Sequence, residues 1–184
     1  MPSVRFPKPY ADAVARLRAP SGFLLVAVFA WFSRPTPRSL LAGLPVAVAG
    51  LFLRAWAAGC LAKNRELSTG GPYAYTRNPL YLGTLLVALG LAITARSPGL
   101  AVLFAAYFLL VYLPVMGLEE QHLRAIFPEY DDYARRVPAL WPRIPRVRET
   151  KSNPFRMGLY LKNQEYQALA GFAAGTMLLL WKAL

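Results

Sequence analysis

Residues 40–61 read LLAGLPVAVAGLFLRAWAAGCL, an apolar run broken only by Arg54. A helix needs about 20 such residues to cross a hydrocarbon core ~30 Å thick. Four further apolar runs flank this one, at 20–32, 79–95, 98–118 and 166–181. All are rich in Leu, Ala, Val and Phe with scattered Gly, the usual texture of membrane helices. The alternation of a transmembrane barrel is absent from them. The expected fold is therefore all-α: a polytopic membrane helix bundle with about five transmembrane helices. The run at 20–32 is short for a full span and would fit the interface as well.

Composition agrees. Hydrophobic residues make up 56% of the 184 and charged residues 16%, against about a quarter charged in soluble domains. The net charge is +12. The basic residues lie between the apolar runs rather than along one face, which favours anionic lipid headgroups over nucleic acid. Cys60 is the sole cysteine, so no intrachain disulfide forms, and it is expected to be a buried small hydrophobe. Neither a CxxC nor an HExxH motif occurs, so no metal is expected. The basic N-terminus before an apolar run faintly resembles a leader, but no small-residue cleavage site follows it and cleavage is not expected.

Lys and Arg in the connections set the orientation. With the N-terminus inside, sixteen fall on the inner side and four on the outer. The N-terminus is thus expected in the cytoplasm of a bacterial or archaeal inner membrane. The two long inner connections are 62–78 and 119–165. We divide the chain into transmembrane helices and a turn over 1–118, a cytoplasmic segment over 119–165, and a last transmembrane helix over 166–184, in one integrated domain. Pro138, Pro142 and Pro145 make 137–153 an extended stretch, since proline lacks the helical donor.

Two clusters in the inner connections carry chemistry. The first is Gly70-Gly71-Pro72-Tyr73-Ala74-Tyr75-Thr76-Arg77-Asn78-Pro79-Leu80-Tyr81-Leu82-Gly83. It reads as a glycine turn entering a helix, with Pro79 in the first helical turn. Tyr73, Tyr75 and Tyr81 offer aromatic faces with polar tips, and Gly83 leaves room beside the backbone. An interfacial aromatic belt would look similar. The second cluster is Glu119-Glu120-Gln121-His122-Leu123, followed by Phe127, Glu129-Tyr130-Asp131-Asp132-Tyr133 and Val137-Pro138. Adjacent residues on a helix point to different faces, so one of Glu119 and Glu120 is expected inward and the other in solvent. A solvated amphipathic helix is the plainer alternative. Arg54, a charge inside an apolar run, is a functional candidate by default. No strand precedes a GxGxxG, so a soluble dinucleotide domain is not expected.

On these residues the chain resembles the isoprenylcysteine carboxyl methyltransferase and phospholipid methyltransferase superfamily of membrane enzymes. The resemblance lies in Gly71-Pro72-Tyr73, then Arg77-Asn78-Pro79-Leu80-Tyr81-Leu82-Gly83, then Glu119-Glu120, Leu123, Phe127, Tyr130, Tyr133 and Val137-Pro138. It implies a site for S-adenosyl-L-methionine capped by the cytoplasmic segment. Carried over by motif, the cofactor-contacting residues are Tyr73, Asn78, Pro79, Leu80, Tyr81 and Glu119. The preceding Arg65, Glu66, Leu67 and Ser68 line the cofactor there too, and Arg77, Gly83, His122 and Tyr130 complete the expected set. Glu119, Glu120 and Arg54 are the catalytic candidates. Asn78 stands where the family has histidine. Val115 stands where the isoprenylcysteine enzymes have an arginine associated with substrate.

The expected activity is transfer of a methyl group to a lipophilic or membrane-embedded acceptor, with membrane lipids as partners and neither nucleic acid nor metal. Two alternatives stand beside it. One is an NADPH-dependent membrane reductase of sterol-like substrates, in which Arg135, Arg136 and Arg143 would face a 2′-phosphate. The other is a non-catalytic membrane scaffold.

Overall fold

The computed structural model describes residues 7–144 and 153–184. Among these there are eight α-helices and no strand. Helices occur at all five apolar runs: α1 (Lys8–Phe32), α2 (Pro37–Cys60), α3 (Pro79–Ala95), α4 with α5 (Pro98–Tyr107 and Leu113–Ile126) and α8 (Tyr166–Ala183). Short helices α6 (Tyr130–Arg136) and α7 (Met157–Lys162) lie between α5 and α8. Two helical rods, α2 and the continuous 98–126, are long and apolar enough to cross a membrane. Counting α1 as one span makes three, although it bends by 56° before Pro20, where the ring removes a helical hydrogen bond. α3 is apolar but shorter.

α2 and α3 form the closest pair. Gly43, Ala47 and Gly50 on α2 face Gly83, Val87, Gly90 and Thr94 on α3. A Cβ on Gly50 would come 2.6 Å from the Gly83 carbonyl oxygen, and one on Gly90 2.6 Å from that of Gly43. Small residues at this three-and-four spacing let two backbones touch, the usual basis of helix association in lipid. Ser39 Oγ donates to the Thr94 carbonyl at 2.8 Å and closes one end of the pair.

The rod 98–126 carries a π turn at Phe108–Tyr112, just before Pro114. Pro114 has no N–H to give the Leu110 carbonyl. The Tyr10 hydroxyl donates to that carbonyl instead, at 2.7 Å, which ties α1 to the rod. The helix then runs on to Ile126, past the end of its apolar run at 118. The extension is amphipathic: Leu123 packs into a cluster of Leu67, Phe127, Tyr130, Tyr133 and Val137.

The last turn of α2 leaves carbonyls without helical partners, and Ser68, Arg156 and Asn163 supply them. Asn163 Nδ2 donates to Ala58 O and Leu61 O, each at 2.9 Å. Arg156 N donates to Gly59 O at 2.9 Å, and Ser68 Oγ to Cys60 O at 3.0 Å. Cys60 is buried there.

Candidate active site

The site is built where the α2 C-terminus, the α3 N-terminus and the far half of α5 come together. Between α2 and α3, Gly71–Ala74 forms a single 3-10 turn. Gly71 has φ +59° and lies against Cys60 and Trp56, a conformation glycine adopts without penalty. The turn drives Tyr73 inward, where it packs with Ala57 and Cys60. Its carbonyl accepts from the Tyr133 hydroxyl at 2.8 Å. Its own hydroxyl is buried and has no hydrogen-bond partner among the described residues. Burial, and after it the nearby Tyr133, Cys60, Glu119 and Glu165 groups, hold that phenol well above its ordinary pKa. Tyr73 is therefore a neutral hydroxyl at physiological pH.

The second motif opens α3. Arg77 Nη2 pairs with Glu120 at 2.8 Å, with both side chains about nine-tenths buried. Arg77 Nη1 also donates to the Ala134 carbonyl, at 2.9 Å. Asn78 Nδ2 donates to the Ala139 carbonyl at 2.9 Å, so it ties the turn to the extended 138–144. The backbone does the same through Arg77 N on Pro138 O, 2.9 Å, and Arg143 N on Tyr75 O, 3.0 Å. Pro79 is buried in the first turn of α3, and Tyr81 is buried edge-on to Tyr112 at 5.7 Å.

The adjacent glutamates part as helical geometry requires. Glu119 is exposed and Glu120 is buried. Glu120 holds Arg77 and also bonds the Tyr130 hydroxyl, which burial, then Glu120, keeps protonated far above the ordinary phenol range. Arg65 and Glu66 are exposed, while Leu67 and Ser68 are buried. His122 Nε2 and Asn64 Oδ1 lie 3.3 Å apart, which bridges α5 to the loop after α2.

Arg54 is spoken for. Its Nε bonds Glu165 Oε1 and its Nη2 lies 3.0 Å from Glu165 Oε2. Nη1 reaches the Thr84 hydroxyl and the Leu80 carbonyl. The Arg54 stem rests on Gly83, where a Cβ would come 2.6 Å from Cγ. The sequence did not single out Glu165, Asn153 or Asn163. The one available signal was a lone carboxylate at the mouth of the final apolar run.

The architecture is that of a helical membrane protein with a polar site where the α2 C-terminus and the α3 N-terminus meet. Residues 47–130 match the sequence model of the phospholipid methyltransferase family, a segment that holds the first motif cluster and the second as far as Tyr130. The chain is similar to the nickel-cobalt-cadmium resistance protein NccN of Alcaligenes xylosoxydans xylosoxydans, at 35% identity over 72% of this chain and 62% of NccN. It is also similar to the cobalt-zinc-cadmium resistance protein CzcN of Cupriavidus metallidurans, at 39% identity over 58% of this chain and 49% of CzcN. The matched region thus spans about half to three fifths of these curated relatives. No solved structure matches the chain.

Proposed function

We propose that this chain is an integral membrane methyltransferase that takes S-adenosylmethionine at its cytoplasmic face and modifies a lipophilic acceptor reached from the bilayer. The observation that carries this reading is the Tyr73 hydroxyl in the turn of the family's first motif, buried and without a partner among the described residues. An unmet buried hydroxyl costs about 1–3 kcal/mol, and a polar ligand placed against it recovers that cost.

The residues present suit the cofactor. Tyr73 offers a hydroxyl that donates or accepts. Glu119 is an exposed carboxylate near it, suited to hydroxyl or ammonium donors. The face of Tyr81 attracts positive charge by roughly 0.5–2 kcal/mol. His122 stands one turn further along α5. When bound, the cofactor supplies a methyl group already activated by its sulfonium. The chain's own residues then have to align and desolvate. Arg77, Glu120 and Tyr130 lock the α3 entrance to α5 and α6, and Tyr81, Phe108, Val115 and Met116 form an apolar wall that keeps water away. Alignment of this kind supplies several kcal/mol of a transfer barrier.

The reading includes five membrane crossings, with the N-terminus and the site cytoplasmic and 119–165 as a cap over the site. It is supported by helices at all five runs and by the sixteen-to-four distribution of Lys and Arg. Arg54, Glu119 and Glu120 divide the work: Glu119 contacts ligand, while Glu120 and Arg54 hold the walls. The relatives named for metal resistance give a cellular readout, since loss of this activity is expected to lower tolerance to such ions.

The test is transfer of label. Membranes carrying the chain, given methyl-labelled S-adenosylmethionine, are expected to move label into solvent-extractable lipid, and Glu119→Ala is expected to lose at least tenfold of it. Equal labelling with and without the chain would overturn the reading.

A further inference from the structure

The matched family segment ends at residue 130, yet 153–165 is bonded into the site at four places. Asn153 Oδ1 accepts from the backbone N–H groups of Gly70, at 3.0 Å, and Thr69, at 3.3 Å, immediately before the Gly71–Tyr73 turn. The Phe155 ring lies so close over Gly59 that a Cβ there would come 2.1 Å from it. Asn163 and the Arg156 backbone occupy the last carbonyls of α2. Glu165 grips Arg54 with both carboxylate oxygens, and Arg54 in turn holds Leu80 O and Thr84 in the first turns of α3.

We propose that 153–165 is a strap that sets the geometry of the cofactor site, with Glu165 and Asn153 as positioning residues. Asn153 fixes the turn that carries Tyr73. Glu165 acts through Arg54 on the stretch that carries Leu80 and Tyr81. The two walls that would contact the ligand are thus both tied to one segment that lies outside the family core. The ionic anchor is two-pronged and lies at the N-terminal end of α8, where a carboxylate is favoured by the helix dipole. An arginine in an apolar helix gains a fixed orientation only with such a partner.

The proposal rests on the methyltransferase reading, and the experiment separates the two. Purified full-length protein in detergent is titrated calorimetrically with S-adenosylhomocysteine, beside Glu165→Gln, Arg54→Gln, the double variant of these two, Asn153→Ala, and Lys162→Ala, an exposed strap residue used as control. Each variant is first shown to keep helical circular dichroism and monodisperse elution. The expected result is a loss of at least tenfold in affinity for Glu165→Gln and severalfold for Asn153→Ala. The double variant is expected to bind no worse than Arg54→Gln alone, because Glu165 acts through Arg54, whereas two independent faults would add, and Lys162→Ala is expected to be unchanged. If Glu165→Gln does not fold, Asn153→Ala and Arg54→Gln decide. Folded variants that bind like the wild type, or a double variant whose loss is the sum of the two single losses, overturn the strap while leaving the methyltransferase reading intact. A wild type that does not bind overturns both.

Discussion

Arg77 and Glu120 meet at 2.8 Å in the interior and join the entrance of α3 to the buried face of α5. Each belongs to a different sequence motif, so the pair is the physical link between them. Removing one partner of a buried pair strands the other charge, at about 3–5 kcal/mol. Glu120→Ala and Arg77→Ala are therefore each expected to lower the detergent melting temperature markedly. Glu119→Ala, at an exposed site, is expected to leave it nearly unchanged. Equal melting for Glu120→Ala and Glu119→Ala would contradict this division of roles.

Tyr73→Phe separates function from stability. The substitution deletes a buried hydroxyl that has no hydrogen-bond partner among the described residues. It is expected to keep or raise the melting temperature, by up to the ~1–3 kcal/mol that such a group costs, while weakening S-adenosylhomocysteine binding. A destabilised Tyr73→Phe that binds normally would show the hydroxyl to be structural.

Two phenols give the protein an alkaline limit. Tyr73 and Tyr130 both titrate above the ordinary value near 10 in the folded state, chiefly through burial. Above about pH 10 the unfolded chain releases these protons and the folded chain keeps them, so stability falls as pH rises. Below that pH their contribution is fully present. Melting temperatures from pH 8 to 11 are expected to be level at first and then to drop, and the drop is expected to be shallower in Tyr73→Phe. A profile of identical slope in that variant would contradict the assignment.

Glycines along the α2–α3 seam and on α8 should answer differently to the same change. In Gly50→Ala the new methyl would press on the Gly83 carbonyl and Val87 N, at 2.6 and 2.7 Å, which forces the helices apart at about 1–3 kcal/mol. Around Gly175 nothing lies within 4 Å. Gly175→Ala is expected to be neutral or to stabilise by a few tenths of a kcal/mol. Comparison of the two melting curves checks this directly.

The helices were legible because apolar runs announce themselves. The run at 79–95 coincides with α3, and the runs at 40–61 and 166–181 differ from α2 and α8 by a few terminal residues. The rod from Pro98 outran its expected end at 118, because its continuation buries Glu120, half-buries Leu123 and carries no apolar run to read. The two glutamates could be assigned opposite environments from helical spacing, but not which one went inward. That depended on Arg77, 43 positions away along the sequence. The strap was illegible for the same reason. Nothing local to Glu165 or Asn153 states that their partners are Arg54 and the 69–70 backbone. The candidate Arg54 was visible as a charge in an apolar run, but its commitment to Glu165 was not.

The central claim is most directly tested by calorimetric titration of the purified wild-type protein with S-adenosylhomocysteine, with NADPH run in parallel. The account predicts saturable one-to-one binding of S-adenosylhomocysteine and none of NADPH. Binding of NADPH alone, or of neither, would contradict it.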